Sequence, residues 1–269
     1  MPRDWAFWHD GGAEMNRLWA IATNTFREAV RDKVLHSILF FAVLLLGVSL
    51  AMREVTIGDQ AKVVRGVALG GISVLGAVIA IFLGIGLVYK EIERKTIYTL
   101  ASKPIPRWQL LLGKYVGLWI TLAVEIAILA ALYTVIVGAQ QGIPSQEIYL
   151  AMGLLMMELT LLTAWATLFS AFAEPLYASA YTICIYLIGH FVDDLKLFGE
   201  QSQNPAFRDV MLALYRVLPN LEMFNIRTAA VHGVPIPMAE VGWAGLYCAA
   251  YTVVVLSAAM WVFERRDFK

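Results

Sequence analysis

The chain has 269 residues, 59 % of them apolar and only 16 % charged, with a mean hydropathy of +0.67. Such a composition excludes a soluble domain of this size, because too few polar side chains remain to cover its surface. Lys plus Arg and Asp plus Glu balance at 21 each, so net charge gives no reason to expect a nucleic-acid partner, and only the placement of charge is informative.

The chain opens on a segment, residues 1–34, without an apolar leader or a cleavage signal, so no processing is expected. Met15, Leu18, Trp19, Ala22, Phe26 and Val30 recur there at three- and four-residue steps, with Arg17, Arg27, Glu28, Arg31 and Asp32 between them. The spacing predicts an amphipathic helix lying in the inner membrane interface. The same stripe also suits packing against another protein.

Six stretches then reach the length at which a helix crosses a hydrocarbon core of ~30 Å, since backbone amides in lipid must bond within their own segment. They are 35–52, 67–89, 112–137, 148–172, 176–192 and 241–263. The first and fifth are the shortest. The expected fold class is therefore all-α: one polytopic transmembrane domain of six helices. With the first segment inside, 14 of the 21 basic residues fall on the inner side and 7 on the outer. Positive loops remain cytoplasmic, so both termini are expected in the cytoplasm, as in a bacterial inner-membrane protein.

Between the second and third spans, residues 90–111 form the densest charged stretch, with both signs of charge and with Pro104 and Pro106 breaking any continuous helix. A solvated hairpin and a docking surface for a cytosolic partner both fit such a loop. Trp108, Tyr115 and Trp119 follow at positions suited to interfacial anchoring. A shorter inner turn lies at Ala173, Glu174 and Pro175. The outer stretch 193–240, punctuated by Pro205, Pro219, Pro235 and Pro237, carries an apolar pattern for one or two short helices that cap the outer mouth before the sixth span.

Within the membrane, Glu125 and Glu158 are the two carboxylates buried by sequence. At ~1.5 Å per residue both lie near mid-depth of antiparallel neighbours. Ionisable groups there face a bundle interior or a wet cavity. They are candidates for a translocation path or proton coupling, or else structural carboxyls bonded to a neighbouring helix, with Thr121, Thr160, Thr163 and Thr167 as hydrogen-bonding neighbours. In the second span, Gly66-x-x-x-Gly70 and Ala80-x-x-x-Gly84 offer a small-residue face for helix packing or a dimer seam. Cys184 and Cys248 fall in apolar stretches and read as small hydrophobes. The four histidines are scattered and read as surface or packing residues rather than metal ligands. No phosphate-cradling Gly-x-x-x-x-Gly-Lys-Ser/Thr turn is present, so the chain is not expected to hydrolyse ATP, and no cofactor or metal is expected on it.

The runs REAVRDKVLHSILFFAVLLLGVSLAM (27–52) and LVYKEIERKTIYTLASKPIPRWQLLLGKYVGLW (87–119), with LPNLEMFNIR (218–227), resemble the permease subunits of the ABC-2 group of ABC transporters. The likeness is strongest to the branch that includes the permease of the nitrous-oxide-reductase maturation system. The resemblance implies that the charged loop is a coupling helix touching a separate ATP-binding subunit, through Glu91, Glu93, Arg94, Thr96, Lys103, Pro104 and Arg107. Glu174 would make a second, smaller contact. It also implies a second permease subunit, identical or not, ATP-Mg held by the partner ATPase, and export of a substrate it does not name, with a periplasmic protein as a further candidate partner. Two alternatives of other classes are a proton-coupled secondary transporter built on Glu125 and Glu158, and a membrane scaffold that transports nothing.

Overall fold

The computed structural model describes residues 11–55, 59–93 and 106–265. All their regular structure is helical. In chain order the helices are α1 (Gly11–Val30), α2 (Lys33–Val55), α3 (Gln60–Glu93), α4 (Arg107–Gln141), α5 (Gln146–Ser170), α6 (Pro175–His190), α7 (Val192–Gln201), α8 (Pro205–Val217), a short 3-10 turn (Glu222–Phe224), α9 (Arg227–His232) and α10 (Met238–Arg265).

Four stretches are long and apolar enough to cross a membrane: Gln60–Gly86, Arg107–Ala139, Gln146–Ser170 and Met238–Arg265. A fifth arises if α6 and α7 count as one span, bent by 58° at the break between them. The expected first span corresponds to a shorter apolar helix, Leu35–Val48, which covers about 21 Å at the rise of an α-helix. Length and composition thus give four or five spans among the described residues, against the six expected.

Helix ends follow local chemistry. Pro175 opens α6 and Pro205 opens α8, each at a position whose missing N–H would have no helical partner anyway. The Asn204 side chain caps α8 by accepting from the Ala206 and Phe207 amides at 3.0 and 3.5 Å. α4 ends at Gly142, whose φ of 83° only glycine adopts readily.

The core is organised around α5. Leu159, Leu161, Leu162, Ala164 and Ala166 are fully buried on it, and α3, α4, α6, α9 and α10 all pack against it. A helix apolar on every side belongs at the centre of a bundle. The small-residue face of α3 serves this packing only in part. A Cβ on Gly84 would lie 2.5 Å from the Ala166 Cβ and one on Gly76 would lie 3.1 Å from Leu159, whereas Gly66 and Gly70 face open space.

α1 packs lengthwise on α4. It buries Ala22, Thr25 and Ala29, while Met15 and Trp19 stay exposed. Its apolar stripe is therefore divided, one part against the bundle and one part outward. The contact is close because α4 presents Gly113 and Gly117: a Cβ on Gly117 would come within 2.5 Å of the Ala22 carbonyl oxygen. Two satellite clusters mark opposite ends of the bundle. Ala29, Leu111, Leu118, Ala171, Ala259 and Phe263 gather at one, and Leu154, Leu161, Leu221, Phe224, Ala244 and Cys248 lie toward the other.

Candidate functional site

The end of the bundle marked by Ala29 and Phe263 is where the charged segment between α3 and α4 begins and ends. Glu91 and Glu93 fall in the last turn of α3. Arg94, Thr96, Lys103 and Pro104 lie outside the described residues. Arg107 begins α4, and its Nη1 donates to the Glu264 carbonyl oxygen at 3.3 Å, tying the start of α4 to the end of α10. Glu174 is exposed in the turn between α5 and α6, and its carbonyl accepts from the Ala178 amide at 2.9 Å. Ala171, three residues before it, belongs to the same cluster as Leu111 beside Arg107. The fold thus brings the two expected contact regions, Arg107 and Glu174, to one end.

The membrane carboxylates have different surroundings. Glu158 on α5 is almost wholly buried, and its Oε1 lies 3.5 Å from His190 Nε2 at the end of α6. His190 Nδ1 sits 2.9 Å from the Tyr186 carbonyl oxygen. A carbonyl only accepts, so Nδ1 carries a hydrogen, and Nε2 is the ring nitrogen turned toward Glu158, although no hydrogen bond forms between the two atoms at this distance. A cavity of about 10 Å³, the room of a single water, adjoins Glu158 and is lined also by Ser73, Asn225 and Arg227. Arg227 Nε donates to Asn225 Oδ1 at 2.6 Å, and Asn225 Nδ2 donates to the Glu222 carboxylate at 3.0 Å. A basic side chain of the outer segment therefore faces the same small cavity as the buried carboxylate of α5.

Glu125 on α4 is also buried, but neither of its carboxylate oxygens has a hydrogen-bond partner among the described residues. It does not line the cavity beside Glu158. The threonines named as neighbours bond instead to their own helices: Thr121 to the Gly117 carbonyl at 2.9 Å, Thr163 to Leu159 at 2.7 Å and Thr167 to Thr163 at 2.8 Å. Thr160 does both, donating to the Met156 carbonyl and accepting from Trp119 Nε1 at 3.0 Å. Tyr115, expected at the interface, is buried and donates to the Thr160 carbonyl at 2.9 Å. This ring ties α4 to α5.

The segment LPNLEMFNIR folds as a plug over this region. Leu221 and Phe224 are buried, the Leu221 amide donates to the Gly189 carbonyl at 2.9 Å, and a Cβ on Gly189 would lie 2.6 Å from Leu221 Cγ. Asn220 reaches two further elements, its amide donating to Tyr247 Oη at 2.9 Å and its Nδ2 to Asp193 Oδ1 at 2.9 Å. Sequence reasoning missed the pairing of His190 with Glu158 and the role of Arg227. The signal available was the polar residues Asn225 and Arg227 inside an otherwise apolar motif.

The described residues form an all-helical membrane bundle. A family model described as "ABC-2 family transporter protein" matches residues 19–268. The chain belongs to this family, and it is a multi-pass membrane permease subunit of an ABC transporter. It is similar to the "Probable ABC transporter permease protein NosY" of Stutzerimonas stutzeri, at 28 % identity over 281 aligned residues covering 94 % of this chain and 99 % of that one. Membership in the family implies an ABC ATP-binding subunit as partner.

Proposed function

We propose that this chain forms half of the membrane path of an ABC exporter, moved by ATP hydrolysis on a separate subunit that binds at residues 90–111. The observation that carries this is the convergence of the start of α4, the turn before α6 and the end of α10 on the end of the bundle that residues 90–111 adjoin, with Arg107 bonded to the Glu264 carbonyl. A push delivered there reaches α3, α4 and α10 together, and α4 and α10 both pack on α5. Closure of the nucleotide-binding subunits thereby rocks one set of helices against another. In this reading the chain crosses a bacterial inner membrane six times, with the short α2 as the first span and both termini cytoplasmic. It pairs with a second permease subunit, the ATPase holds ATP-Mg, and a periplasmic protein is a further partner to seek.

Co-purification tests the proposal. Wild-type chain used as bait in its native cells should retain a P-loop ATPase through two affinity steps. The Glu93→Lys/Arg94→Glu variant should lose it while keeping its own fold. Equal retention by the variant would refute the docking role.

A second mode is favoured by one observation, the buried Glu158 carboxyl whose Oε1 lies 3.5 Å from His190 Nε2. A proton-coupled transporter would use it. Substrate flux into proteoliposomes of the chain alone, driven by a pH gradient and abolished by an uncoupler, would establish that mode, and flux only with ATPase and ATP would dismiss it.

A further inference from the structure

Polar residues from three distant parts of the chain line one small space. The cavity of about 10 Å³ is walled by Ser73 of α3, by Glu158 of α5 and, from the outer plug, by Asn225 and Arg227, with apolar side chains completing it. Ser73 and Glu158 are almost wholly buried. Ser73 Oγ, beside the Tyr186 hydroxyl, and Glu158 Oε1, beside His190, have no hydrogen bond of good geometry. Buried polar groups left so are costly, and in folded proteins the great majority are bonded, to protein or to ordered water. The charges that act on Glu158 are those of Arg227 and Glu222. Yet no ion pair within 4.0 Å joins Glu158 to Arg227, its contact of that kind being with His190. Opposite charges that face one space without touching are the arrangement a bridging water serves.

We propose that this cavity is a binding site for one ordered water, which joins Arg227 of the outer plug to Glu158 of α5. The space is that of a single water, and its walls supply the two to four polar partners that a buried water needs. Arg227 uses its Nε on Asn225, so its Nη groups are the donors to the water, and the water donates in turn to the Glu158 carboxyl. The Ser73 hydroxyl donates to the water's second lone pair, and Asn225 Oδ1 accepts its second hydrogen. The chemistry of the wall selects a neutral, dipolar occupant. A cation of this size would meet the Arg227 guanidinium, an anion would meet Glu158 and Glu222, and an apolar occupant would leave Ser73 and Glu158 unbonded. The outer plug is therefore held to α3 and α5 through a water rather than by a direct ion pair.

X-ray hydroxyl-radical footprinting of the full-length chain in nanodiscs tests the site. Brief irradiation makes radicals from bound as well as bulk water, so a buried side chain is oxidised where an ordered water touches it. Met152 and Phe224 line the cavity, whereas Phe263 sits in an apolar cluster at the other end of the bundle. Their burial is matched, at 4 %, 2 % and 4 % exposed. In wild type Met152 and Phe224 should be oxidised and Phe263 spared. Ser73→Val and, separately, Ala151→Val fill the space with methyl groups from two walls, and each should abolish oxidation at Met152 and Phe224. Protection of both residues in wild type means a dry cavity and overturns the proposal. So does oxidation that persists in both valine variants with Phe263 still spared, because bulk solvent rather than a held water then reaches them. A variant in which Phe263 is oxidised as well has lost its fold, and the wild-type pattern then decides alone.

Discussion

Replacing Gly117 by alanine probes whether α1 is an integral part of the permease body. The added Cβ would lie 2.5 Å from the Ala22 carbonyl oxygen and 2.7 Å from the Thr25 Cβ. Ordinary contact begins at 3.4 Å, so the two helices must separate by roughly 0.9 Å at this point, and a backbone carbonyl in the middle of α1 has no rotamer into which it can withdraw. Overpacking of this kind costs about 1–3 kcal/mol, which for a chain of this size lowers the apparent Tm by roughly 2–12 °C. Gly70→Ala on α3 is the matched control, because its Cβ would meet nothing within 4 Å. There the better helix propensity of alanine should leave stability equal or raise it by up to ~1 kcal/mol. Thermal unfolding in detergent measures both, and limited proteolysis should cut within α1 faster in Gly117→Ala. If Gly117→Ala melts with wild type, or Gly70→Ala is the more damaging of the two, the close packing of α1 on α4 is refuted.

Further expectations follow from the polar contacts. Tyr115→Phe removes the hydroxyl that donates to the Thr160 carbonyl and should cost about 0.5–1.5 kcal/mol in the same melting assay; no change would return Tyr115 to an anchoring role. Glu125→Leu removes a buried carboxyl whose oxygens have no hydrogen-bond partner among the described residues and should raise stability by about 1–3 kcal/mol while reducing ATP-driven transport, whereas a stability loss would reveal a structural bond. A double-mutant cycle of Glu158→Gln with Arg227→Met, read by chemical unfolding, should give a coupling of about 0.5–3 kcal/mol, and additivity would separate the outer plug from α5 energetically. If Glu125→Gln and Glu158→Gln both assemble and transport at the wild-type rate, neither carboxylate lines the path.

The long apolar runs were readable because lipid imposes a single backbone solution on them. The readings 67–89 and 112–137 were bounded by their apolar runs, yet α3 begins at Gln60 and α4 runs from Arg107, since helical hydrogen bonding continues past polar residues such as Lys62, Arg65 and Arg107 that end an apolar run. The terminal amphipathic helix was also readable, but not the face it buries. Hydrophobic spacing marks an apolar stripe without saying that glycines some ninety residues later will accept it, Gly113 against Leu18 and Ile21 and Gly117 against Ala22 and Thr25. The candidate site divides in the same way. Glu125 and Glu158 stood out as charges in apolar runs, a local signal. The partner of Glu158 did not, because His190 lies 32 residues away on α6 and Arg227 comes from the outer segment, and periodicity carries no information about contacts between elements. Tyr115 was misplaced for a related reason: position near a span end suits an interfacial ring, but the neighbouring α5 offered the Thr160 carbonyl.

The location of Lys103 tests the central claim most directly. With Cys184, which is exposed, first replaced by serine, a Lys103→Cys variant is treated with a membrane-impermeant maleimide in whole cells and in inverted vesicles, with and without the ATPase subunit. Labelling confined to inverted vesicles and suppressed when the ATPase is bound is the expected result. Labelling in intact cells, or labelling in inverted vesicles at the same rate whether or not the ATPase is present, would contradict a cytoplasmic coupling segment.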